Sequence, residues 1–213
     1  IPDIIKKNLP KELVELVATV SGPAIANEMV RGGFTAMNVG SKSKTSIVKI
    51  KKVLENKNLR LYATDDVMGI ELVGSFKNVY AIAMGLCDGL KMPMNTKAAL
   101  LVVALKEISV LVKKMGGKAE TIYGLAGLGD LIGTGLCTAS RNRRFGEYLA
   151  KNNNINSSLR KVGQVVEGIS AAKVLHALGK KYKVKTPFAE MIYYVSCGKA
   201  SPDQALARFL QKI

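Results

Sequence analysis

The chain has 213 residues, enough for one large domain or for one domain with part of another. Hydrophobic residues make up 48% and charged residues 23%, the balance of a globular protein with a sizeable core rather than a long disordered tract. Lys and Arg outnumber Asp and Glu by 32 to 16, and the formal charge of +16 would draw phosphorylated ligands, nucleic acid or anionic lipid, or would simply solvate the surface.

The start, Ile1-Pro-Asp-Ile-Ile-Lys-Lys7, lacks a basic region followed by an apolar one, so no secretory leader is expected, and the absence of Met fits processing or truncation. Leu13–Val20 is a short element ending in a β-branched run, and Gly22-Pro23 punctuates it. Ala24–Val30 reads as a short helix, Arg31-Gly-Gly-Phe34 as a turn and Thr35–Val39 as a second strand. Thr45–Asn56, apolar at 47, 48, 50, 53 and 54, suits a helix, and Leu59–Ala63 alternates as a third strand. Strands alternating with helices predict an α/β layer, but three strands are too few for a complete nucleotide-binding sheet.

Beyond Thr64-Asp-Asp66 the pattern becomes helical. Met68–Leu86 is apolar nearly all round, with only Glu71 and Lys77 charged, and so is expected to be buried. Asp88–Thr96 separates it from Thr96–Met115, which ends in a Lys-Lys-Met-Gly-Gly stop signal. Ala98–Val112 is the longest apolar run, too short and, with Lys106-Glu107, too charged to span a bilayer. Further helices are predicted at about 140–152, 163–179, 186–197 and 201–212, with Ser201 as N-cap and Pro202 at the first position. The polar stretch Lys151–Arg160 reads as a loop. The expected fold class is α+β, mostly α: a remnant of a dinucleotide-binding domain over 1–66, partial and Rossmann-type, then a helical substrate or catalytic domain over 67–213.

Three groups of residues carry chemistry. Gly124-Leu-Ala-Gly-Leu-Gly-Asp-Leu-Ile-Gly-Thr134 is a glycine-rich turn that delivers one carboxylate, Asp130, with Thr134 four residues on and on the same face if the segment is helical. Asp130 either caps a helix start or hydrogen-bonds Lys77 or a substrate hydroxyl. The run is not a dinucleotide fingerprint, because the glycine order is wrong and no apolar strand leads into it. Ser140-Arg-Asn-Arg-Arg144 offers guanidinium groups suited to phosphate, or a solvated helix start. Lys77, with Asn78 beside it, sits among Val73, Gly74, Tyr80 and Ala81. Desolvation there would favour the neutral amine of a general base, and the alternative is a lysine snorkelling from the helix edge.

Other chemistries find less support. Cys87, Cys137 and Cys197 are scattered singly, and with one histidine, His176, no metal-ligand set is expected. The sparse cysteines suit a reducing cytoplasm, and His176 suits a partly buried structural role on an amphipathic helix. Nucleic-acid binding would explain the charge, but the basic residues run along the whole length, Trp is absent and aromatic content is only 6%.

Taken together these residues resemble the NAD(P)-dependent glycerol-3-phosphate dehydrogenase family. The likeness runs through Ser21-Gly-Pro-Ala-Ile-Ala26, Glu71-Leu-Val-Gly-Ser-Phe-Lys-Asn-Val79, Asp88-Gly-Leu90 and Asn95-Thr-Lys-Ala-Ala-Leu100. It continues through Gly124–Leu131, Ser140-Arg-Asn-Arg-Arg-Phe-Gly146 and Gly163-Gln-Val-Val-Glu-Gly168. The resemblance implies Lys77 as proton acceptor and Asp130 as its catalytic or substrate-binding partner. It also implies substrate contacts at Gly22, Asn78, Thr134, Ser140, Arg141 and Asn142. Ala26, Arg141, Val165 and Glu167 would contact NAD or NADP. The implied partner is a small phosphorylated substrate, glycerol 3-phosphate or dihydroxyacetone phosphate, in a cytoplasmic enzyme, with a homodimer open and neither nucleic acid nor membrane bound.

Departures from the family pattern are Ala24, where Ser or Thr is usual, and Ile25, where Phe is usual. The family's opening Gly-rich strand–turn–helix also has no counterpart, so the chain is expected to be a C-terminal portion, inactive without the upstream segment. Alternatives are the helical domain of another two-domain dehydrogenase, or a non-catalytic helical domain for oligomerisation or anion binding.

Overall fold

Three short strands carry the β-branched and alternating runs. They are β1 (Ala18–Ser21), β2 (Thr35–Ser41) and β3 (Leu59–Thr64), in the order β1-β2-β3. β1 is antiparallel to β2, with Ala18 opposite Ser41, and β2 is parallel to β3, with Thr35 opposite Leu59. The structure, a computed structural model, describes residue 5 and residues 7–213. The reading of the first seven residues therefore falls mainly outside the described residues.

Helices α1 (Lys11–Val14), α2 (Ala26–Val30) and α3 (Lys44–Leu54) flank the strands. A parallel pair needs a crossover, and α3 supplies it between β2 and β3. Ser43 caps α3 by accepting the Ser46 N–H. At the far end Glu55 accepts the Leu61 N–H at 2.9 Å and Lys51 donates to the Leu61 carbonyl at 2.6 Å, which closes the turn into β3. The first strand is shorter than the run Leu13–Val20, because residues 11–14 form a helical turn instead.

The rest of the chain is helical. The elements are α4 (Val67–Gly89), α5 (Met94–Lys114), α6 (Ala119–Tyr123), a π-helical turn (Leu125–Gly129), α7 (Asp130–Leu136), α8 (Arg141–Asn152) and α9 (Ile155–Val162). Then come α10 (Glu167–Tyr182), α11 (Pro187–Ser196) and α12 (Pro202–Leu210). The α+β, mostly α architecture is thus observed.

α9 corrects the expected loop at 151–160. Asn and Ser compete with the helix in its interior but favour its ends. Here Asn153 closes α8 in the left-handed conformation, with φ of 46°, and Asn154 opens α9 by accepting the Ser157 N–H at 2.8 Å. Ile155, Leu159 and Val162 then line one side, with Val162 buried. Gly163, at φ of 67°, stops α9, and this delays α10 to residue 167 rather than 163.

The chain packs as two units. One holds the described residues up to Gly74 with Gly116–Gly133, and the other holds Ser75–Met115 with Thr134–Ile213. Asp66 explains why a segment fifty residues downstream joins the first unit. Its carboxylate accepts the Gly69 N–H at 2.9 Å, the Lys118 N–H at 2.8 Å and the Thr121 hydroxyl at 2.6 Å. In the second unit Phe188 is fully buried, 5.8 Å from Phe76 and 5.7 Å from Phe209, so that α4, α11 and α12 meet in one aromatic core.

Among the described residues α4, with 23 residues, is long and apolar enough to cross a membrane, and 72% of its apolar window is buried in the protein. That burial accounts for a helix apolar on nearly every face.

Candidate active site

The first unit brings together two sequence motifs. Gly22 is buried with φ of 154°, and a Cβ there would lie 2.9 Å from Met37 Cα, so the loop after β1 needs glycine. The adjacent Pro23 packs against Gly129 and Gly133, where a Cβ would lie 3.6 Å and 3.2 Å from its ring. Asn38 on β2 accepts the Ala126 N–H at 3.0 Å and so anchors the π-helical turn. Gly127 has no room for a side chain, since a Cβ would sit 2.1 Å from the Ile122 carbonyl oxygen. These contacts hold the start of α7, whose first residue, Asp130, is 1% exposed. Ala26 opens α2 and is exposed.

The second unit holds most of the remaining candidates. α4 and α8 approach backbone to backbone. A Cβ on Gly85 would lie 1.9 Å from the Arg143 carbonyl oxygen, and one on Gly146 would lie 2.2 Å from the Ile82 carbonyl oxygen. At this crossing Asn142, 4% exposed, donates from Nδ2 to Asn78 Oδ1 at 2.9 Å. Its Oδ1 accepts the Gly168 N–H at 2.8 Å. Three elements, α4, α8 and α10, are therefore joined through one buried amide. Ser140 is the N-cap of α8, its hydroxyl accepting the Arg143 N–H. Arg141 pairs with Glu167 at 2.7 Å, both side chains more than two-fifths exposed, and Val165 beside them is 73% exposed. A pair so exposed contributes about 0–1 kcal/mol.

Lys77 lies on α4 next to Asn78 and is half-buried, as is Asn78. Asp130 and Thr134, four residues apart on the same helix, share its face, as their spacing predicts.

Residues 66–207 match the family described as NAD-dependent glycerol-3-phosphate dehydrogenase C-terminus. The chain belongs to the NAD-dependent glycerol-3-phosphate dehydrogenase family. It is 36% identical over 209 residues to the glycerol-3-phosphate dehydrogenase [NAD(P)+] of Clostridium perfringens, a match covering 98% of this chain and 62% of that one. With the enzyme of the same name from Fusobacterium nucleatum it shares 42% over 190 residues, covering 89% and 56%. The crystal structure of glycerol-3-phosphate dehydrogenase from Coxiella burnetii superposes with a TM-score of 0.88 at 37% identity, covering 91% of this chain and 60% of that one. The chain thus spans about three-fifths of the length of the glycerol-3-phosphate dehydrogenases it matches.

Several residues to which the sequence alone assigned no role hold the site's framework. Asp88, at the end of α4, accepts from Arg143 Nε at 2.6 Å and from Lys97 Nζ at 2.5 Å. Burial pushes its carboxyl up, but the Arg143 and Lys97 contacts outweigh this and hold it below the usual carboxylate range. A lone acid closing an apolar helix, with an arginine-rich run downstream, is the signal that marks it. Asn38 and Glu107 give no signal beyond a polar residue in an apolar run.

Cys87 is fully buried and its thiol is pushed up to about 12 by burial, the mark of an inert packing residue. His176 stacks on Tyr193 at 5.3 Å, half-buried on α10. Among the described residues no three His, Cys, Asp or Glu side chains gather where they could hold a metal.

Proposed function

We propose that this chain is the catalytic, substrate-binding portion of an enzyme that interconverts sn-glycerol 3-phosphate and dihydroxyacetone phosphate with NAD or NADP. The observation that carries the reading is the convergence of Asn78, Asn142 and Gly168, far apart in sequence, through one buried amide, with Arg141 and Glu167 paired beside them. A network with its central member satisfied on both sides is held in one geometry, as a site needs.

The cofactor, when bound, accepts or supplies a hydride at C2 of the three-carbon phosphate. Lys77 takes the C2 hydroxyl proton in oxidation and returns it to the carbonyl oxygen in reduction. Asp130 orients the reacting groups. Ser140, Asn142, Asn78, Thr134 and the Gly22 backbone bind substrate. Arg141 is released from Glu167 to meet phosphate. An exposed guanidinium, carboxylate and valine in the second unit suit the phosphate, hydroxyl and ring parts of a dinucleotide, so Arg141, Glu167 and Val165, with Ala26, would hold it. A reducing cytoplasm suits the three free cysteines. Light scattering tests for a homodimer.

The reading is tested by dihydroxyacetone-phosphate-dependent oxidation of NADH and NADPH. The 213-residue chain is assayed beside a form extended upstream to its natural start. Turnover is expected in the longer form, and the separate chain is expected to be inactive. Turnover in neither rejects the substrate. In the active form Lys77→Met is expected to abolish turnover with the circular dichroism spectrum unchanged, and near-normal turnover would remove Lys77 from the proton-transfer role.

A further inference from the structure

The glycines at the α4–α8 crossing set how closely the helices approach, but smooth glycine surfaces do little to fix rotation of one helix about the other. The turn that carries Ser140, Arg141 and Asn142 needs such a lock, because a small misplacement of a positioned polar group is costly. One guanidinium meets the requirement. Arg143 Nε donates to Asp88 Oδ2 at 2.6 Å at the end of α4, and its Nη1 donates to the Leu136 carbonyl at the end of α7. The second Asp88 oxygen receives Lys97 Nζ from α5 at 2.5 Å. The side chains of Arg143, Asp88 and Lys97 are only 15–17% exposed. Arg143 thus ties together both ends of the loop 137–140, which leads into the Ser140 cap.

Resting on the proposed function, we infer that Asp88, acting through Arg143, is a positioning residue that holds Asn142 and Arg141 in register for substrate and cofactor. Three helices meet at its carboxylate, and it touches neither ligand-binding group directly. It also divides the arginine run: Arg143 is committed to the framework, while Arg141, exposed and paired only at the surface, is the one presented to a ligand. Asp88→Asn keeps the shape and removes the charge that orients the guanidinium.

The test uses the full natural polypeptide containing this chain. Asp88→Asn and Arg143→Gln are each expected to lower kcat/KM for dihydroxyacetone phosphate by roughly 10–100-fold. Because the two act in series, the double variant should be no worse than the more damaged single one. The Asn142 side-chain amide resonance should move or broaden in both variants while circular dichroism stays unchanged. Wild-type kcat/KM with an unmoved Asn142 signal would overturn the inference. So would losses that multiply in the double variant, or that merely follow the unfolded fraction and vanish on cooling. If the wild type itself does not turn over dihydroxyacetone phosphate, the functional reading fails, and the Asn142 resonance alone decides whether Asp88 positions it.

Discussion

A methyl group at position 168 would have to occupy space already held by three atoms. A Cβ there would lie 2.6 Å from Ile82 Cδ1, 2.7 Å from the Asn78 carbonyl oxygen and 2.9 Å from Asn142 Oδ1. Ile82 can shift, but the Asn78 backbone cannot move without disturbing α4, and Asn142 can yield only by giving up the Gly168 N–H. Gly168→Ala is therefore expected to destabilise the fold by about 1–3 kcal/mol, the usual cost of overpacking, and to displace Asn142 as well. Chemical denaturation and substrate titration of the same samples check this. A variant with wild-type stability and affinity would show that the crossing relaxes freely. The same residue shows what a sequence can and cannot reveal. Gly168 and Asn142 stand in recognisable motifs, but nothing in their spacing tells that one amide joins them, because that bond depends on how α8 and α10 come to rest on α4.

At the scale of elements, length and periodicity made the long helices legible, and composition misled where polar residues sit at helix ends. Lys151–Arg160 looked like a loop because its Asn and Ser side chains are poor in helix interiors, yet Asn153 and Asn154 occupy the two caps, where such side chains belong. Glu107 is the opposite case, a charge in an apolar run that looked like an interruption and proves to be a cap made by tertiary contact. It is 8% exposed and accepts the N–H groups of Phe188 at 2.6 Å and Ala189 at 2.9 Å, closing the start of α11 from α5. Burial pushes its carboxyl up to about 7, opposed by those two N–H groups and assisted by the nearby charge of Glu190. The raised value means that, between its ordinary range near 4.5 and about 7, the folded protein holds a proton the unfolded chain has released. The resulting stabilisation is complete below that window and is lost as pH rises through it. Relative to Glu107→Gln, the wild type should lose about 2 kcal/mol of stability between pH 5 and pH 7.5. Urea unfolding at the two pH values measures the difference. A constant gap would mean that the two N–H bonds offset burial completely.

For the molecule as a whole, the charge of +16 has two explanations, an attractive field for anionic ligands or an ordinary lysine-rich surface. Asp88 has already neutralised part of the basic complement inside the second unit, since Lys97 and Arg143 share its carboxylate. What remains is largely exposed and acts through solvent, where salt screens it over about 10 Å at 0.1 M. If the surplus steers substrate, kcat/KM for dihydroxyacetone phosphate should fall severalfold, roughly 3–10-fold, from 10 mM to 300 mM salt. The slower turnover of uncharged dihydroxyacetone should hardly change over the same range, because it carries no phosphate for the field to attract. Measuring both substrates in the same salt series separates the cases. A parallel fall would place the salt effect on the fold, and two flat profiles would reduce the surplus to surface solvation. A fall confined to the phosphorylated substrate would tie the basic surface to the chemistry proposed for the site.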